Sequence, residues 1–192
     1  PNLILAGEWC RIFGHNNEEN IHVLPFLWED VEKIYKAQIY CKDVYEIVLK
    51  SITKFFNKHY SVNNSDKHYH ILMGNWLLHF IHQAYDKYLI FEKARENHIV
   101  ETFVIDPADY YYPKDFLDYN NLIEEDNYQL QLFSQVAQYV NIETTIHKFS
   151  DYQKIIQKEN HYTYFQQLKK IIKDAINFIL KSSYLKETII VG

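Results

Sequence analysis

Across residues 29–60 the side chains Val31, Ile34, Cys41, Tyr45, Val48, Ile52 and Phe55 return at alternating three- and four-residue steps, with Gln38 the one polar lapse. A strand sends successive side chains to opposite faces, so only a helix of about 3.6 residues per turn gathers this set on one side. Such a stripe must be buried against another element, because helices draw most of their stability from packing. Glu29, Asp30 and Glu32 fall in the first turn, where negative charge suits the helix dipole. The polar residues 61–65 end the pattern. Ser65 or Asp66 can then cap a second long helix, running to about residue 95 and expected to be interrupted near Gly74. Residues 122–140 also read as helical. Residues 162–182 read as a further helix, with Phe165, Leu168, Ile172, Ala175, Ile176 and Ile179 on one face.

Short apolar runs alternate with these helices. Residues 3–6, 22–27, 100–105, 144–149 and 188–191 read as strands, with Pro25 placing the second at an edge or a strand end. Strands alternating with helices predict an α/β fold with a mostly parallel sheet, whose centre includes residues 3–6, 100–105 and 188–191. The 192 residues, 47% of them hydrophobic, suffice for one sizeable core, so residues 1–192 are expected to form a single domain. Apolar runs at both ends suggest a part of a longer chain.

The net charge of −5 carries no basic stripe, which argues against a nucleic-acid partner. No apolar run reaches the roughly 20 residues of a membrane span, and no leader-like segment opens the chain. Cys10 and Cys41 are the only cysteines, too few for a disulfide framework, and the expectation is a soluble, cytoplasmic protein with reduced thiols.

Only four glycines are present, Gly7, Gly14, Gly74 and Gly192, so neither a GxGxxG turn nor a GxxxxGK[ST] phosphate loop exists. Chemistry must come from elsewhere. Ala6-Gly7-Glu8-Trp9-Cys10-Arg11 follows the first strand, and ligands of open α/β sheets lie beyond the carboxyl ends of strands. Glu8 there suits an acid/base or hydroxyl-binding role, and Arg11 suits a phosphate or carboxylate. The competing reading is a Glu8–Arg11 pair that orders a loop over Trp9. Trp28-Glu29-Asp30 opens the first long helix, where two acids would repel an anion and fit capping better. On the second long helix His68, Asn75, His79, His82 and Asp86 share one face. His79, His82 and Asp86 could hold a metal, but without HExxH or cysteine partners the solvated face of an amphipathic helix is the better reading, and no metal is expected.

Gly7-Glu8-Trp9-Cys10, then Leu24-Pro25-Phe26-Leu27-Trp28-Glu29-Asp30, then Tyr69-His70-Ile71-Leu72-Met73-Gly74-Asn75-Trp76-Leu77, with a later Asp126-Asn127-Tyr128, resemble the LIC12162-type transferases encoded among bacterial O-antigen and surface-polysaccharide genes. The resemblance covers nearly the whole chain and corresponds to the family's amino-terminal part. It implies a helix-rich, Rossmann-like lobe of GT-B type that contacts a carbohydrate or glycolipid acceptor. A nucleotide-activated donor would be held on a further carboxyl-terminal lobe, and no cofactor is implied within these residues. On that plan Glu8 is the acceptor contact or base, with Arg11, Trp28 and Trp76 shaping one pocket.

Two other readings stay open. A helical module with a Tyr-rich surface could bind a partner protein, and would expose a large aromatic patch. A histidine metal hydrolase would need a stoichiometric metal.

Overall fold

The computed structural model describes residues 3–8, 10, 21–96, 101–140 and 142–146. Its element order is β1 (Leu3–Leu5), β2 (Ile21–Val23), α1 (Val31–Tyr60), α2 (Asp66–Arg95), β3 (Glu101–Val104), α3 (Phe116–Leu122), α4 (Asp126–Ala137) and β4 (Glu143–Ile146). The predicted strand at 188–191 and helix at 162–182 lie outside the described residues.

The α1–α2 hairpin dominates. Asp30 caps α1, its carboxylate accepting from the backbone N–H of Glu32 at 2.9 Å and of Lys33 at 3.4 Å. At the other end Ser61 takes a left-handed conformation, φ 54°, which a residue with a Cβ adopts at a cost. Asn57 offsets that cost. Its carbonyl accepts from Ser61 and Val62, while its side chain bonds both backbone groups of Asn64, at 2.8 and 3.0 Å, and accepts from the Tyr69 hydroxyl at 3.0 Å. Ser65 then caps α2. The chain therefore reverses in a short polar turn, and the facing stripes bury each other: Cys41, Val44, Val48 and Ile52 of α1 against Leu77 and Ile81 of α2.

The opposite side of α2 forms a second core. Phe80, Ala84, Tyr88 and Phe91 pack with Tyr119 of α3, with Tyr128, Leu132 and Val136 of α4, and with Val104 of β3. Two buried polar side chains of α4 fasten the segment after β3. Ser134 accepts from Ile105 N–H at 3.0 Å and donates to the Leu130 carbonyl. Gln131 bonds both the N–H and the C=O of Tyr111 at 2.7 Å.

The strands correct the sheet expectation. Among the described residues β1 pairs with β2, in register Leu3↔Ile21, and β3 with β4, in register Glu101↔Glu143; both pairs are parallel. Among the described residues there is no continuous parallel sheet, so the fold is helical with two small strand pairs and not a Rossmann-like lobe of GT-B type. The physical reason is where the apolar helix surface goes. A buried parallel sheet needs helices over both faces, yet the stripes of α1 and α2 cover each other. The strands stay at the margin, with every residue of β4 exposed. A second correction concerns α2, which runs unbroken through Gly74. Burial of its neighbours outweighs the roughly 1 kcal/mol that glycine costs inside a helix.

Candidate functional site

Parallel pairing sends the ends of β1 and β2 to one edge. Beyond Val23 the chain stays in register for one more bond, Leu24 N–H to the Leu5 carbonyl at 2.9 Å. Past Leu5, Gly7 is buried and its carbonyl accepts from Cys10 N–H at 3.1 Å, which turns the chain and leaves Glu8 exposed. Burial raises the Cys10 thiol pKa, against the Gly7 and Ala6 backbone contacts that lower it.

Past Val23, residues 24–30 lead into α1, and Trp28 fixes this connection to α2. Its indole N–H donates to Asp86 Oδ1 at 2.7 Å. The other oxygen of Asp86 accepts from Lys87 Nζ at 3.2 Å, and the same ammonium donates to Gln83 Oε1 at 2.9 Å and lies 5.3 Å from the centre of the Phe133 ring. Lys87 is buried, 5% exposed. With one carboxylate, one amide oxygen and one ring face, it is satisfied inside the protein. This knot ties the strand edge, α2 and α4 together. Its chemistry is positional, since Lys87 cannot reach a ligand.

Of the residues expected to share a pocket, Glu8 follows the end of β1 by three positions and Trp28 follows the end of β2 by five. Arg11 lies outside the described residues. Trp76 occupies the seam between the two cores, stacked on Phe80 with centroids 5.6 Å apart and edge-on to Tyr119 at 6.4 Å. It precedes Asp86 by ten residues, about 15 Å along a helix axis, so it stands well down α2 from the point that Trp28 grips. Capping by Asp30 accounts for the Trp28-Glu29-Asp30 motif.

The histidine stripe divides. His82 Nδ1 is 2.8 Å from the Leu78 carbonyl, His79 lies edge-on to Phe116, and Asp86 is taken by Trp28 and Lys87. Among the described residues no three His, Cys, Asp or Glu side chains are grouped to hold a metal. Among them, too, no helix is long and apolar enough to cross a membrane.

Sequence reasoning placed Asp86 on a polar face and missed Lys87. A signal was present: Phe80, Ala84, Lys87, Phe91 and Ala94 follow four- and three-residue steps, so Lys87 occupies the register of the buried face. A lysine in that register demands an internal partner, and Asp86 is the adjacent acid.

Comparison with curated proteins and with solved structures finds no match. The family model described as LIC12162 family transferase matches residues 1–191, and the chain belongs to that family.

Proposed function

We propose that this chain supplies acceptor binding in a sugar-transfer reaction of bacterial surface-polysaccharide synthesis, carried out in the cytoplasm. What supports transfer is family membership. The observation that carries the choice of site is the strand edge itself. Glu8 is exposed there, and the connection containing Trp28 is pinned to a rigid helix by the bond to Asp86. A pinned edge beyond parallel strands gives an acceptor a fixed place to dock.

In this reading Glu8 contacts an acceptor hydroxyl and takes its proton as the hydroxyl oxygen bonds to the sugar carbon and that carbon's bond to the nucleotide's phosphate oxygen breaks. Arg11 is assigned to the phosphate of the leaving group and Trp28 to the acceptor's surroundings, while Trp76, packed between the two cores, supports α2. The acceptor is a carbohydrate or glycolipid, and the donor is a nucleotide-activated sugar held by a further part of the enzyme.

The test is transfer by the full-length protein from a panel of nucleotide sugars. Glu8→Gln should lower kcat at least about 100-fold, as loss of a general base does, while Tm stays unchanged. Unaltered turnover would return Glu8 to ordering its loop.

A second reading, a helical module that docks on a protein, draws on one observation. Phe26, Val31, Tyr35 and Ile39 expose large apolar side chains where α1 begins. Retained transfer in a Val31→Lys, Tyr35→Lys protein separates the two, because the docking reading gives that surface the activity.

A further inference from the structure

Gly74 is used for what its missing side chain allows beside the helix. A Cβ at this position would lie 2.8 Å from the Tyr45 hydroxyl oxygen, 3.0 Å from His70 Nδ1 and 3.4 Å from His70 Cε1. Contacts that close would force these groups apart. With glycine present, Tyr45 crosses from α1, its ring buried in the first core, and its hydroxyl meets His70 Nδ1 at 2.5 Å.

The direction of that bond follows from counting protons. A buried hydroxyl places its proton on an acceptor, and the acceptor beside Tyr45 is His70 Nδ1. Burial and the neighbouring Glu46 both raise the Tyr45 pKa, so the phenol keeps its proton. Nδ1 therefore accepts, and in the neutral ring the hydrogen resides on Nε2. His70 itself is exposed, so this second nitrogen is directed away from Tyr45 on a solvent-facing residue. His82, a little over three turns further along α2, has the opposite arrangement. Its Nδ1 lies 2.8 Å from a carbonyl, which can only accept, so its Nδ1 carries the hydrogen.

We propose that His70 presents Nε2–H as a fixed hydrogen-bond donor to a hydroxyl oxygen of a carbohydrate ligand, with Tyr45 setting the tautomer and Gly74 admitting Tyr45. A neutral ring offers one N–H and no charge, which suits a neutral hydroxyl better than a phosphate. The ligand class rests on the sugar-transfer reading; the tautomer does not. His70 is then a ligand-binding residue, and Tyr45 and Gly74 are positioning residues.

Nitrogen-15 spectra of the histidine-labelled chain test both parts. At a pH where both rings are neutral, His70 should show a protonated Nε2 and His82 a protonated Nδ1. Methyl glycosides should shift the His70 Nε2 resonance and leave that of His82 in place, whereas inorganic phosphate should shift neither. Gly74→Ala should release the tautomer and weaken glycoside binding about tenfold, the worth of roughly one hydrogen bond. Tyr45→Phe should do the same without adding a Cβ, and serves if Gly74→Ala fails to fold. A protonated Nδ1 on His70, a shift with phosphate in place of glycosides, or no shift with either overturns the proposal. Glycoside binding in a full-length protein without transfer activity would overturn the sugar-transfer reading and leave the site standing.

Discussion

The two cores share α2 but are held together differently. The first, between α1 and α2, is mostly apolar side chains on two long helices, with polar bonding gathered at the turn around Asn57. The second, between α2, α3, α4 and β3, contains short elements and irregular chain, and draws on buried polar side chains. Gln131 and Ser134, each 1% exposed, take up backbone groups of residues 105 and 111 that no helix or strand pairs. Long helices satisfy their own backbone, so their interface can be apolar. Irregular segments cannot, and where they are buried a side chain has to supply the partner.

That contrast can be broken most severely at Gln131. Gln131→Ala leaves the N–H and C=O of Tyr111 without their partner, and two such groups predict a loss of about 3 kcal/mol. Denaturant unfolding measures the total. Hydrogen exchange should show the loss concentrated at residues 105–118, and an effect spread evenly over α1 would mean that the two cores do not differ as described. Asn57→Ala is the matching change in the first core. It removes bonds that lie closer to solvent, which water can replace, and should cost about 1–2 kcal/mol. A loss as large as that of Gln131→Ala would erase the distinction.

A smaller effect has the opposite sign. Tyr119 is wholly buried, and its hydroxyl has no hydrogen-bond partner among the described residues. Tyr119→Phe removes an unsatisfied polar atom and should stabilise the protein by about 1 kcal/mol, offset in part by the small void left behind. Destabilisation would mean that the hydroxyl has a partner.

The smallest effect is the response to alkali. Tyr111 is pushed up to about 12, by burial first and then by its bond to Asp118. A folded value above the unfolded one gives stability that is complete below about pH 10 and is lost as pH rises from there through about 12. Urea midpoints at pH 9, 10 and 11 should therefore fall. Tyr111→Phe should flatten that fall more than Tyr45→Phe, and equal slopes in the two variants would count against the assignment.

Much of the first core was legible because its contacts are periodic. Cys41, Tyr45, Val48 and Ile52 of the predicted stripe are buried and Asp30 and Ser65 cap the helices, since these are local patterns. Val31 at the start of the stripe is exposed, whereas Ala37 and Tyr40 are buried outside its register. The second core was less legible. No helical stripe marks residues 110–119, yet α3 begins at Phe116 and Gln131 clamps Tyr111 from twenty residues away. The candidate site divided the same way. Glu8 and Trp28 were found as residues next to strands, while the Trp28–Asp86–Lys87 knot joins groups 58 positions apart and left only the register of Lys87 as a trace.

Legible without the fold were the two long helices, their caps, the family, and a short strand near each of β1 to β4, although β2 ends at Val23 and not at residue 27. Tertiary structure alone decided that those strands pair two and two instead of merging into one sheet, that α2 continues through Gly74, and that Tyr45 reaches His70 across the hairpin. The physical reason is range. Helix periodicity and capping depend on neighbours within a turn or two, whereas sheet membership and the use of a missing Cβ depend on which apolar faces find each other first. Here α1 buries its apolar face on α2, and α2 gives its other face to α3, α4 and β3, so these two helices do not cover a shared sheet.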